Sequence, residues 1–382
     1  MSAPFARRMV WMRVRTMNVT FPPTTRLRPS ARLVGILLAA ITILGLFPLP
    51  VYGQDGPPAS ARIDNIRHIF QSWNNCGPAN LTMAMSHYGW GYDQRVAGAW
   101  LKPNIEDKNV SPGQMAAYVN QQTELPIRAL WRYGGNIQLL KKFIAAGFPV
   151  IIESGYDVED LGWMGHYETI VAYDDASETF WVYDSYLGIG NGFGREHRYE
   201  ELDSWWRHFN RTYVVVFPLD RENEVREILG PFVDPLFAAQ SALSVARQEA
   251  AQDQTDAWAW FNAGTSATRL GQYYDAAIYF DEAFRQGLPY RLLWYMFGPY
   301  EAYYNIARYD DVVTLTNNTE ATTVYVEETN YWRGMAYAAQ GRTDDAIAQL
   351  DAALRFNRNF TPAADAKTLI ESGEYVSPGA PQ

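Results

Sequence analysis

Apolar and polar positions along the chain follow two different rhythms. Up to about residue 218, short helical and strand-like runs alternate. Leu81, Met85 and Tyr88 share one face at helical spacing, so residues 79–88 predict a helix. Ser111, Pro112 and Gln114 form a capping-box-like start for a second helix through Met115, Tyr118 and Val119. Ile137, Leu140, Phe143 and Ile144 mark a third over 136–146, stopped by Gly147 and Pro149. Val150, Ile151 and Ile152 then read as a short buried strand. Residues 166–173 and 180–184 are rich in β-formers and flank a polar loop, which predicts a hairpin. A helix over 200–209 and a closing strand over 213–217 follow. Helices first and an antiparallel sheet afterwards make an α+β pattern.

Beyond residue 235 every stripe is helical and the pattern repeats. Gly264, Gly271, Ala276, Phe280 and Ala283 recur as Gly334, Gly341, Ala346, Leu350 and Ala353, each 70 residues later, or two periods of 35. That is close to the period of about 34 of a tetratricopeptide repeat. A diverged middle copy spans 293–326 with Tyr303, Tyr309 and Asp311, and 236–252 supplies a cap helix. So short an array is expected to lean on the preceding domain. The reading is therefore a domain at 62–218, a charged connector at 219–235 bounded by Pro218, Pro231 and Pro235, a repeat domain at 236–375, and a flexible tail at 376–382.

Composition changes the picture mainly at the N-terminus. Residues 1–53 carry seven arginines and no acid, followed within that span by an apolar run at 33–47 and by Pro48 and Pro50. This reads as a basic leader and signal peptide, cleaved after Gly53, in an exported protein. The alternative is an uncleaved membrane anchor through 33–50, for which the run is short of the ~20 residues of a span. With the whole chain at −10, the part after residue 53 carries −17. Such an acidic body argues against nucleic acid as a partner. The five histidines are scattered, no second cysteine exists, and no phosphate-binding glycine loop is present, so neither metal nor cofactor is expected.

The single cysteine, Cys76, cannot form an intramolecular disulfide. Gly77 and Pro78 follow it, and the next helix places it near a positive helix end, which favours thiolate. Acyl transfer by a thiol also needs a base, a group orienting that base, and oxyanion donors. His166 opens a strand, Asp184 lies on the neighbouring strand of the hairpin, and Gln71 precedes Cys76 by five residues. Whether His166 and Asp184 share a face depends on hairpin register. Trp73, Trp163 and Tyr167 flank these positions as candidate cleft walls, with ordinary core packing as the competing reading.

Residues 71–80, with Gly165, His166, Tyr167, Tyr183 and Asp184, resemble the bacteriocin-processing (double-glycine leader) peptidase-like family of papain-like cysteine peptidases. The resemblance covers about 65–218. It implies a papain-like α+β domain with Cys76 as nucleophile, His166 as base, Asp184 as its orienter and Gln71 in the oxyanion hole. It also implies peptide hydrolysis, but not cleavage after a double glycine, because helical repeats stand where leader-processing members carry a transporter. The expectation is an exported cysteine peptidase acting on a peptide or protein substrate, its repeats recruiting that substrate or a protein partner. The alternatives are a non-catalytic peptidase-like binding module and a thiol-dependent transpeptidase or amidase.

Overall fold

A computed structural model describes residues 56–378. The leader, the apolar run at 33–50 and residues 379–382 lie outside the described residues. Among those described, no single helix is long and apolar enough to cross a membrane. The first part of the chain runs β1 (Ser60–Arg62), α1 (Cys76–Ser86), α2 (Gln94–Leu101), α3 (Pro112–Gln122), β2 (Ile127–Arg132), α4 (Ile137–Ala145), β3 (Val150–Val158), β4 (Gly162–Asp174), β5 (Thr179–Asp184), β6 (Arg195–Arg198), α5 (Tyr199–Trp206) and β7 (Tyr213–Pro218). The strands form one antiparallel sheet in the order β2-β7-β3-β4-β5-β6, with β1 also pairing on β4.

Both faces of this sheet are covered, which explains why its central strands are apolar without alternation. Val150, Ile152, Tyr213 and Val215 pack with Leu140, Phe143 and Ile144 of α4. Ile151, Val214, Val216 and Tyr167 pack with Leu81 and Met85 of α1 and with Met115 and Val119 of α3. The α3 start is a complete capping box. Ser111 Oγ accepts from the Gln114 N–H at 3.2 Å, and Gln114 Oε1 accepts from the Ser111 N–H at 2.7 Å.

Residues 219–235 differ from a simple connector. They contain α6 (Glu222–Leu229), whose Val225 and Leu229 are buried in the core around α4. Their i, i+4 spacing makes one apolar stripe on an otherwise charged helix, a signal that the bounding prolines obscured. After it come α7 (Pro235–Gln252), α8 (Ala257–Arg269), α9 (Tyr273–Gln286), α10 (Gly298–Asn305), α11 (Tyr309–Glu320), α12 (Glu327–Ala339), α13 (Thr343–Phe356) and α14 (Thr361–Glu371). The helix pairs α8–α9 and α12–α13 carry the 70-residue correspondence. At the crossing of the first pair, a Cβ on Gly264 would lie 2.6 Å from the Phe280 ring; in the second, one on Gly334 would lie 3.2 Å from Leu350. Glycine is needed at both for close helix approach.

The turns before α8, α10, α12 and α14 all touch the first domain. Asp256 pairs with Arg207 at 2.5 Å, and the Tyr295 carbonyl accepts from Asn109 Nδ2 at 3.4 Å. The Tyr325 carbonyl accepts from the Lys108 N–H at 3.3 Å, while Asn357 and Asn359 donate to the carbonyls of Leu101 and Trp100 at 3.0 and 2.9 Å. Trp163 and Phe209, from the first domain, belong to the apolar core of the array.

His208 sits at this junction, stacked on Trp258 with ring centroids 4.1 Å apart. Its Nδ1 is 3.0 Å from the Gly155 carbonyl oxygen and 3.2 Å from Trp163 Nε1, and the tautomer decides which bond forms. Burial, partly offset by the Gly155 bond and reinforced by Arg207, pushes its pKa down to about 4. An unfolded histidine, at about 6.5, takes its proton earlier. The native state therefore keeps this contribution above that value and loses it as pH falls towards 4, by up to about 3 kcal/mol. Denaturant midpoints measured from pH 7 down to 4.5 should fall more steeply for wild type than for His208→Gln; equal slopes would contradict this.

Candidate active site

Loop 70–75 delivers Cys76 to the first position of α1, half-buried against the α1–α3 core. Asn75, the N-cap, makes no side-chain cap; its side chain donates to Gln94 instead. A Cβ on Gly77 would lie 3.2 Å from Val110 Cβ, so the helix start presses closely on its neighbours.

The hairpin register pairs Glu168 with Asp184, which puts His166 diagonally across from Asp184 on the same face. His166 Nε2 is 2.9 Å from Asp184 Oδ1. The imidazole is also hydrogen-bonded to Cys76, for which Nδ1 remains. Asp184 is buried, and its Oδ1 accepts from the N–H groups of Tyr186 and Leu187 at 2.6 and 3.0 Å. Glu168, the neighbouring carboxylate, accepts from His197 Nε2 at 3.1 Å and from the Tyr156 hydroxyl, so each carboxylate has its own histidine.

These contacts favour charge separation. Burial opposes ionisation of Cys76, but the hydrogen bond and charge of His166, a bond from the Tyr167 N–H and the charge of Lys102 outweigh it and hold the thiol below its ordinary value. Burial likewise opposes protonation of His166, and Asp184 and Cys76 outweigh it, holding the imidazole well above its usual range. Asp184 is held low, burial being overcome by His166 and the two N–H donors. A thiolate–imidazolium pair is the form these shifts select.

Gln71 has its amide orientation set by Ser185, whose carbonyl also accepts from the Gln71 N–H at 2.7 Å. Its Oε1 accepts from Ser185 Oγ at 2.8 Å, and Ser185 Oγ in turn accepts from Asn80 Nδ2 at 3.1 Å. With the oxygen held, the NH₂ end is the one left to donate. Asn80 Nδ2 also reaches the carbonyls of Tyr167 and Cys76 at 2.7 and 3.0 Å, and its Oδ1 accepts from Thr169 Oγ1 at 2.8 Å. Gln94 fastens the loop: Oε1 accepts from Asn75 Nδ2 and from the Ser72 N–H at 2.9 Å, and Nε2 donates to the Phe70 carbonyl at 2.6 Å.

Sequence reasoning missed Asn80, Ser185 and Gln94. Asn80 carried one usable signal, a polar residue one turn after Cys76 on an apolar helix. Two of the candidate cleft walls need correction. Trp163 is buried at the domain junction, stacked with Phe209, because the repeat array covers it. Tyr167 is buried under α1 with its hydroxyl donating to the Val110 carbonyl. Trp73 is exposed, its Nε1 donating to Glu106 Oε2 at 3.1 Å, and Phe70, Tyr186 and Leu187 are exposed beside it in sequence or beside Asp184.

Residues 63–214, a span holding Gln71, Cys76, His166 and Asp184, match the model of the Peptidase_C39 like family. Among solved structures, one described as a C39-like peptidase from Bacillus anthracis is 17% identical, over 41% of this chain and 97% of its own, at a TM-score of 0.34. The MamA RS-1 ArsTM double mutant is 14% identical over 36% and 76%, at 0.32. YrrB, described as a TPR protein with an unusual peptide-binding site, is 18% identical over 34% and 84%, at 0.21. Comparison with curated proteins gave no match. Residues 63–214 are thus similar to that family in sequence, in a domain of helices packed on an antiparallel sheet, and an array of paired helices with the 70-residue repeat follows it.

Proposed function

We propose that this chain is an exported cysteine peptidase that hydrolyses peptide bonds through Cys76, His166 and Asp184, with Gln71 as oxyanion donor. The observation that carries the reading is the meeting of Cys76, at the N-terminal end of α1, with a His166 whose far nitrogen is held by buried Asp184. The thiolate attacks the scissile carbonyl, and the C=O electrons move to oxygen, facing the Cys76 N–H and the Gln71 amide. Imidazolium gives its proton to the leaving amine as the C–N bond breaks, leaving a thioester on Cys76. Water, deprotonated by His166, then releases the acid and restores the pair. Asp184 keeps the ring oriented and stabilises its charge throughout.

Export is supported by the basic leader and apolar run of residues 1–53. We assign the repeats to recruitment of a protein substrate or partner. The test is intact-mass measurement of the full chain during reaction with activated peptide esters. An acyl adduct on Cys76 that turns over at neutral pH, and is absent from Cys76→Ala, is expected. A folded chain that acquires no adduct would contradict the proposal, and diversion of the acyl group to an added amine would make the enzyme a transpeptidase.

A further inference from the structure

We propose that Lys102 is a positioning residue for Cys76, and that the helical repeats act on the peptidase centre through it; this rests on Cys76 being the nucleophile. Lys102 closes α2 with its side chain buried rather than in solvent, at 5% exposure. Its ammonium faces main-chain carbonyls: Asn74 at 2.8 Å, Asp107 at 2.9 Å, Ile105 at 3.3 Å and Trp73 at 3.4 Å. An ammonium has three protons to give and no lone pair, so carbonyl oxygens replace the water it loses on burial. Two of the four oxygens belong to the residues just before the Asn75–Cys76 peptide. Since each peptide is planar, fixing those oxygens fixes the planes that lead into Cys76. Lys102 thus ties the nucleophile loop to segment 105–107, and its charge also favours the thiolate.

Behind Lys102 stands the repeat array. Asn359 and Asn357 hold the carbonyls of Trp100 and Leu101, and the Tyr325 carbonyl holds the Lys108 N–H, so the turns before α12 and α14 bracket the segment on both sides. Asn357 Nδ2 also donates to Glu327 Oε1 at 2.8 Å, and both residues are buried. Asp107 and Glu327 meet across the two domains. Burial first, then the charges of Glu327 and Glu328, push Asp107 well above its ordinary value, against the pull of Lys102. The charged groups facing Lys102 are Asp107, Cys76, Lys108 and Glu327, and Glu328 faces Asp107 as well. This chain of contacts sets where Cys76 stands.

The experiment is the pH dependence of Cys76 alkylation by iodoacetamide in the full chain, with folding checked by circular dichroism. Lys102→Met should slow alkylation at neutral pH about tenfold and move the profile to higher pH, and Lys102→Arg should return the profile by restoring the charge. Asn357→Ala combined with Asn359→Ala leaves Lys102 charged, so the profile should keep its midpoint while the rate falls about threefold. If Lys102→Met does not fold, the double asparagine variant decides alone. Profiles and rates equal to wild type in the folded variants overturn the proposal while the nucleophile stands. A wild-type profile like that of a free thiol overturns the nucleophile and this proposal together.

Discussion

Replacing His166 by alanine is expected to slow alkylation of Cys76 at pH 6 by about a hundredfold. An ordinary thiol, with a pKa of about 8.5, is well under 1% thiolate at that pH. In the native site the thiol is held low by His166, the Tyr167 N–H and Lys102, and the imidazole is held high by Asp184 and Cys76, so both shifts favour the ion pair. The signs separate two measurements. Alkylation needs only thiolate, so its rate should rise through the lowered Cys76 value and then stay level. Peptide hydrolysis also needs the imidazolium proton for the leaving amine, so it should fall again as pH passes the raised His166 value, giving a bell. In His166→Ala the alkylation profile should move to that of a free thiol. Asp184→Asn should fall between, because the ring loses its charged partner but keeps Cys76. An alkylation profile unchanged in a folded His166→Ala protein would contradict the pairing.

The largest stability effect is expected at Phe280. Its ring is fully buried and fills the space between α8, α9 and α10: a Cβ on Gly264 would lie 2.6 Å from it and one on Gly298 2.9 Å. Phe280→Ala removes that ring from a core with nothing to refill it, at a cost of about 3–5 kcal/mol. Gly264→Ala pushes a methyl into the same ring, at about 1–3 kcal/mol. The two effects share one space, so they should not add. In a Phe280→Leu background, Gly264→Ala should cost at least about 1 kcal/mol less than in wild type. Denaturant midpoints of the four proteins test this, and strict additivity would show that the ring and the glycine do not meet.

That small-against-large pairing is also why the array was legible in the sequence. Gly264 with Phe280 and Gly334 with Leu350 repeat the same packing solution, and the 70-residue offset records it directly. The β4–β5 hairpin was legible for a similar local reason, as two β-rich runs around a polar loop. The pairing of β2 with β7 was not, because Ile127 and Pro218 are partners more than 90 residues apart. Their contact depends on the whole sheet. Cys76, His166, Asp184 and Gln71 stood out by residue type; the first three meet in the structure, and Gln71 is linked to Cys76 through Ser185 and Asn80. Lys102 did not: at the end of a helix it looks like any solvated lysine favoured by the helix dipole. Loop 73–74 and segment 105–107 together bury it. Trp163 misled for the opposite reason. Its closeness to His166 in sequence suggested a cleft wall, while the array that covers it begins some 70 residues later.

The central claim is that Cys76 cleaves peptide bonds. Its most direct test is a proteomic comparison of new N-termini produced from a mixture of peptides and unfolded proteins by the full chain and by Cys76→Ala, at matched concentration and pH. The account predicts a set of N-termini present with wild type, lost in Cys76→Ala and lost in His166→Ala, with a shared residue preference around the cut bonds. The same N-termini from wild type and from a folded Cys76→Ala protein would contradict it.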